Sequence, residues 1–193
     1  MKNEAVSTQA DAEKGHGGGA KNRRTRIENK GALCQAPAAM KIRIISVGKD
    51  RSGLFEPGVR EYASRLEHYC RLELVELGEA PKSRGIGQAI EEEGERILGK
   101  LKPGECCVAL DERGKALTSE ALADWLGRQQ SAGRDVVFCV GGANGLSAAV
   151  KQRSDLTLSL SALTLPHRLA RLLIAEQLYR AFTILRGEPY HRG

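Results

Sequence analysis

The chain has 193 residues, enough for one domain with a sizeable core, and its 30 Lys+Arg against 24 Asp+Glu leave a net charge of +6. The excess is spread along the chain rather than gathered in a polybasic block, so it is compatible with a polyanionic partner without requiring one. No apolar run approaches the roughly 18 residues of a membrane helix, and the five cysteines (Cys34, Cys70, Cys106, Cys107, Cys139) form no even disulfide framework. A soluble, reduced, cytoplasmic chain is expected.

Residues 1–39 hold seven Lys+Arg and four Asp+Glu, include the run GHGGG, and show no apolar periodicity able to offset the entropy of ordering. They read as a disordered basic extension. A secretory signal is not expected, since there is no continuous apolar region, and Glu4, Asp11, Glu13 and Glu28 speak against a transit peptide. Met40, directly before a strand-like segment, reads as an initiation site. The extension is then an over-called N-terminus or a dispensable tail, with a basic arm for RNA as the alternative, and residues 40–193 form the working domain.

From Met40 strands and helices alternate. KIRIISV (41–47) is β-branched and bounded by Gly48, which predicts a strand. Val59, Tyr62, Ala63, Leu66 and Tyr69 recur at helical spacing over 57–69, with Pro57 at the first helical position. LELVEL (72–77) alternates as a strand; PKSRGIG (81–87) is a basic, glycine-containing loop; QAIEEEGERILGKL (88–101) is an amphipathic helix. A strand ECCVAL (105–110), a turn at DERG, a helix from a Thr118 or Ser119 cap to about Gln130, and a strand DVVFCV (135–140) follow. This rhythm predicts an α/β fold with a mostly parallel sheet and helices on both faces.

GGANGLS (141–147) leaves that last strand and opens the next helix, the position at which α/β proteins bind phosphates or adenosine. The dinucleotide fingerprint is spoiled, because Val140 stands where its first glycine belongs and Asp155 comes too early for the ribose acid. No Gly-Lys-Ser/Thr follows, so it is not a P-loop. A tight turn whose glycines permit close packing remains the structural alternative.

DLTLSL (155–160) alternates as a short strand, and the small residues SALT (161–164) lead to Leu165 and Pro166. Pro166 disfavours a helical Leu165, so a helix is predicted from about His167 to about Leu185. Its apolar residues Leu169, Leu172, Leu173, Ile174, Leu178, Tyr179, Phe182, Ile184 and Leu185 leave no gap wider than about 80° around the wheel. Such a helix is buried on nearly all sides, one side on the sheet and the other against a second subunit.

The stretch SLSALTLPH, preceded by GRDVVFCVGGANGLS and followed by AEQLYRAFTILRGEPYHRG, resembles the ribosomal RNA large subunit methyltransferase H family of SPOUT methyltransferases. The resemblance runs from Met40 to Gly193 and rests on the GG-x-x-GL turn, the LSALTLPH loop and the terminal PYHR, in order and spacing. It implies a SPOUT-type α/β fold with a C-terminal trefoil knot, an exception to the rule that chains do not thread their own loops. It also implies S-adenosyl-L-methionine as co-substrate, with Leu110, Gly141, Gly142, Leu160, Ser161, Ala162, Leu163, Thr164 and Leu165 lining its pocket.

The acceptor the resemblance implies is N3 of a pseudouridine in the large-subunit ribosomal RNA, reached on the assembled ribosome by a homodimer joined through the C-terminal helix. Its imide proton must leave, so a base or an anion-stabilising cation is useful. PYHR supplies candidates: His191 as base, Arg192 as phosphate or anion clamp, Tyr190 as stacking or hydrogen-bonding platform. The alternative is a frayed C-terminus.

His167 is either a packed or capping residue or a catalyst. Arg168, Arg171 and Arg180 can meet RNA or the partner subunit, and Arg51, Lys82 and Arg84 can face phosphates or simply be solvated. His68 reads as a surface residue. No metal is expected: ligand spacing is missing, and Cys106 and Cys107 point to opposite faces of a strand. Two other classes stay open. A non-enzymatic ribosome-binding factor would take up no adenosyl cofactor, and a nucleotide-dependent oxidoreductase would prefer NAD.

Overall fold

A computed structural model describes residues 40–191 apart from Arg51 and Lys82, and of His191 only the backbone. The N-terminal extension and Arg192 lie outside the described residues. Five strands, β1 (Lys41–Val47), β2 (Arg71–Leu77), β3 (Cys106–Ala116), β4 (Val136–Val140) and β5 (Leu156–Ser159), form one sheet in the order β2-β1-β4-β3-β5. Every pairing is parallel, as the alternation of strands and helices predicts.

The helices are α1 (Glu56–Leu66), α2 (Ile86–Leu98), α3 (Ser119–Ser131), α4 (Ala148–Arg153) and α5 (His167–Leu185), followed by a 3-10 turn at Pro189–His191. They divide between the two faces of the sheet. On one face Ile42, Ile44, Val136 and Phe138 meet Leu66 of α1, Leu122 and Leu126 of α3, and Ile174, Leu178 and Phe182 of α5. On the other, Ile45, Val47, Val137 and Cys139 meet Ile97 of α2, Leu146 just before α4 and Val150 of α4. β4 lies between β1 and β3 with all five residues buried, which is why VVFCV reads as an unbroken apolar run. Cys106 and Cys107 fall into the two different cores, as expected of neighbours on a strand.

The local signals explain the helix starts. Thr118 caps α3 by accepting from the Ala121 N–H at 3.1 Å, and Ser147 caps α4 by accepting from Val150 at 3.3 Å. α1 lacks a cap from its own preceding residue; the Asp50 carboxylate takes that place, accepting from Phe55 N–H at 2.8 Å and Glu56 N–H at 3.0 Å.

Several boundaries differ from the sequence expectation. α1 starts at Glu56, so Pro57 is its second residue, and it ends at Leu66; α2 spans Ile86–Leu98 rather than 88–101. The DERG segment does not end its strand: β3 pairs Leu110 with Leu158, bulges outward, and pairs Lys115 with the same Leu158. A charged tetrapeptide with a glycine reads as a turn in sequence, and only the neighbouring β5 reveals that the strand resumes.

α5 is flanked by its own chain as well as by the sheet. Its sides are met by α1 and α3, and the side chain of Leu172 closes on the backbone of Gly58. Leu185 is the one large apolar residue of the helix that is exposed, at 39%. Arg171, an expected RNA or partner contact, is buried and paired with Glu76 and, at 3.5 Å, Glu56. At the N-terminal edge of the sheet Arg43 and Glu105 form a second buried pair at 3.0 Å, with Arg43 also donating to the Lys100 carbonyl at 2.9 Å.

Candidate active site

In a parallel sheet the crevice opens where neighbouring strands send their chains to opposite faces. β1 leads to α1 on one face and its neighbour β4 leads to α4 on the other. Around the β3 bulge and the C-terminal end of β4 lies a cleft of about 430 Å³. Leu110, the Gly141–Gly145 turn, Leu160, Ser161, Leu163, Thr164 and Leu165 line it, so three segments far apart in sequence converge on one space. Ala162, expected with them, is exposed and does not line the cleft.

The glycine turn is shaped by close approach. A Cβ at Gly141 would stand 2.4 Å from the Gly145 carbonyl carbon, too near for any side chain. A bridge between Gly142 and Gly145 closes the turn, with the Gly145 N–H donating to the Gly142 carbonyl at 3.1 Å. Behind it, the buried Glu93 accepts from the Ala80 N–H at 2.9 Å and sets its other oxygen against Gly142.

The loop 160–165 has its own internal scaffold. Ser159 Oγ donates to the Ser161 carbonyl at 2.8 Å, and Ser161 Oγ accepts from the Leu163 N–H at 2.9 Å. Thr164 Oγ1 donates to Glu112 Oε2 at 2.5 Å, tying the loop to the β3 bulge. Small hydroxyl residues therefore serve the loop's shape, while Leu163, 74% exposed, is left standing at the rim.

The cleft also carries charge that the sequence reading missed. Asp111 and Lys151 form an ion pair on its wall, with Glu112 and Arg113 beside them. Burial works against the Asp111 charge, but Lys151 and the Arg113 N–H, donating at 2.9 Å, hold its carboxyl below the usual range. The signal was present in DERG, where the acidic residue comes just after the buried stretch of the strand, but its partner lies 40 positions on.

His167 opens α5 and lines the same cleft. Its Nε2 is buried and without a hydrogen-bond partner. Burial, then Arg168, hold its imidazole below the ordinary histidine value, against the opposite pull of Glu79 and Glu93. Arg168 lies 4.0 Å from Asp50, and Arg180 pairs with Glu176 at 2.7 Å. His68 is exposed, as expected.

Tyr190 is not brought to the cleft of its own chain. Its hydroxyl stands 3.2 Å from both the Tyr62 hydroxyl and Glu176 Oε1, and its ring meets Tyr179 edge-on at 4.7 Å under the Arg180 guanidinium. Burial, the hydrogen bond with Tyr62 and the Glu176 carboxylate raise its phenol. The side chain of His191, Arg192, Arg51 and Lys82 lie outside the described residues. Among the described residues no group of three His, Cys, Asp or Glu side chains could hold a metal ion, and no helix is long and apolar enough to cross a membrane.

A parallel α/β sheet brings a glycine turn and an apolar loop together around one cleft, and comparison gives the class. Residues 40–191 match the family model "Predicted SPOUT methyltransferase". A ribosomal RNA large subunit methyltransferase H from an Anaeromyxobacter species is 55% identical over 153 residues, 79% of this chain and 100% of that protein. The protein of the same name from Pelotomaculum thermopropionicum is 45% identical, over 78% of this chain and 98% of its own. Among solved structures, a probable methylase family protein from Haemophilus influenzae is 17% identical with a TM-score of 0.47, covering 79% of this chain and 70% of that one. The SpoU methyltransferase AviRb from Streptomyces viridochromogenes, in complex with AdoMet, is 16% identical with a TM-score of 0.42, covering 74% and 58%.

The chain belongs to the SPOUT methyltransferases and, within them, to the ribosomal RNA large subunit methyltransferase H family.

Proposed function

We propose that this protein transfers a methyl group from S-adenosyl-L-methionine to N3 of a pseudouridine in large-subunit ribosomal RNA, acting as a homodimer on the assembled ribosome. The observation that carries this reading is the convergence of Leu110, the Gly141–Gly142 turn and the 160–165 loop around one cleft. Its volume of about 430 Å³ falls in the range of small-molecule sites. Leu110, Leu160, Leu163 and Leu165 would cover the faces of an adenine, and the backbone of the loop would meet its polar edge. Asp111, Arg113 and Lys151 offer charges of both signs for an amino-acid tail.

The bound sulfonium supplies an already electrophilic methyl group. The protein therefore has to align that carbon with the acceptor nitrogen, exclude water and manage one proton. Tyr190, fixed on α1 and α5 outside its own cleft, is in keeping with a tail that serves the other subunit, where Arg192 would act as anion clamp. The dimer contact would use the part of the C-terminal helix that α1, α3 and the sheet leave open, where Leu185 is exposed. The C-terminal knot implied by the family resemblance would cross the same loop, which Thr164 ties to Glu112.

The test is transfer of labelled methyl from S-adenosyl-L-methionine to ribosomes from a strain lacking this modification, comparing assembled particles with free subunits. Label on one pseudouridine of the large-subunit RNA, with assembled particles preferred, supports the reading. Cofactor binding without label on any particle overturns the acceptor, and failure to bind the cofactor overturns the site.

A further inference from the structure

The sequence offers two histidines for the acceptor's proton, His191 of the tail and His167 at the start of α5. We propose that His167 takes the proton, and that Glu79, across Gly48, is the positioning carboxylate that stabilises the resulting imidazolium. This rests on the methyl-transfer reading above and adds to it the group that accepts the proton.

Three observations carry the assignment. First, the His167 ring is a wall between two spaces: it lines the cofactor-sized cleft and, with Ser46 and Arg168, an inner cavity of about 10 Å³ behind it. Second, the Nε2 on this ring is fully buried with no partner, an expensive arrangement in a residue that only packs. Third, Gly48 holds a φ of +89° where β1 ends, and the point its Cβ would occupy lies 3.1 Å from His167 Nε2 and 2.7 Å from Glu79 Oε1. The missing side chain leaves room for an imidazole and a carboxylate to approach the same bare stretch of backbone, close enough for the Glu79 charge to act on the ring. A base oriented by a second group is the recurrent arrangement for proton abstraction.

The charges facing His167 come from every element around it. Arg168 adjoins it on α5 and is near Asp50 of the loop after β1; Arg171 is engaged by Glu56 and Glu76. Glu79 follows β2, Glu93 approaches from α2, and Asp111 with Lys151 lies across the cleft. The ring is thus neutral near pH 7 and able to accept a proton. In the step, the lone pair of the acceptor nitrogen forms the N–CH₃ bond as the S–CH₃ bond breaks and its electron pair stays on sulfur. The N–H proton passes to the cleft-side nitrogen of His167. Because Glu79 is exposed, it also gives the proton a way to bulk water.

The experiment has two arms. In the cofactor-free protein, the imidazole ¹H–¹³C resonances are titrated; the chain has only four histidines, and His167→Asn assigns the relevant signal. The His167 pKa should lie below the ordinary 6.5 and fall further in Glu79→Gln, because a stabilising negative charge is removed. In the second arm, single-turnover methyl transfer to ribosomes is followed against pH. Wild type should rise through the His167 pKa, and His167→Ala should lose about 100-fold along with that rise. Added imidazole should restore part of the rate, which a purely structural loss would not allow.

Two results overturn the assignment: a His167 signal indifferent to Glu79→Gln, or a His167→Ala protein that keeps the wild-type pH rise while His191→Ala loses it. If wild type itself transfers no methyl, the functional reading fails instead, and the titration still reports on the couple.

Discussion

Asp111, where β3 begins to bulge, and Lys151, on α4, are ion-paired across the wall of the cleft. The folded carboxyl titrates below its ordinary value, so the pair's stabilisation is present above about pH 4 and is lost as pH falls through the folded value. Lys151 is 39% exposed, so screening limits the effect to about 1 kcal/mol or less. Asp111→Asn should lower the unfolding free energy at pH 7 by about that amount and flatten its fall between pH 5 and pH 3. Urea unfolding across that range measures both.

Gly141 admits no side chain, since a Cβ there would collide with the backbone of Gly145 and Leu146. Gly141→Ala must open the turn, at a cost of about 2 kcal/mol or more. Binding of S-adenosylhomocysteine, measured by calorimetry, should fall at least 10-fold. Unchanged affinity would separate the glycine turn from the cofactor site.

Arg43 and Glu105 are 4% and 5% exposed, so removal of either leaves a buried charge. Glu105→Ala should destabilise the fold by about 3 to 5 kcal/mol, whereas Arg43→Met combined with Glu105→Leu should recover most of that loss. Denaturant midpoints of the two single variants and the double variant decide it.

All four described thiols are buried, and lack of access rather than a common shift keeps them from reagents, since the contact with Cys139 holds Cys107 below the usual thiol value. Burial pushes Cys70 up to about 12 and raises Cys106, and Cys139 is raised by its contact with Cys107, Sγ to Sγ 3.8 Å, and by burial. In a Cys34→Ser background the native protein should react slowly with a thiol reagent, and all four remaining cysteines should react on unfolding. A fast native phase would contradict the burial.

Leu163 is 74% exposed at the rim of the cleft and contributes little to the core. Leu163→Ala should leave the melting temperature within about 1 °C, while weakening cofactor affinity about 10-fold if the leucine covers the adenine. A calorimetric titration beside a thermal melt tests both halves.

Much of the fold was legible in the chain. The buried run VVFCV, the alternation of strand and helix, and Pro166 before His167 located a parallel sheet and a helix spanning His167–Leu185. These are local signals: period, proline geometry and capping act within a few residues. The segments that line the cleft were also recognisable, because GG-x-x-GL and LSALTL are continuous in sequence.

What the chain alone could not decide depends on contacts between distant residues. The β3 bulge exists because β5 supplies a partner beyond it, Arg171 turns inward because Glu56 and Glu76 wait on α1 and β2, and α5 is largely covered by its own α1 and α3. Length, composition and periodicity determined an α/β domain with a glycine turn and an apolar loop. Only the tertiary structure decided that Glu79 and His167 both come close to Gly48 and that Asp111 meets Lys151, since side-chain charge and hydrogen bonding act over a few ångströms in space, whatever the separation along the chain.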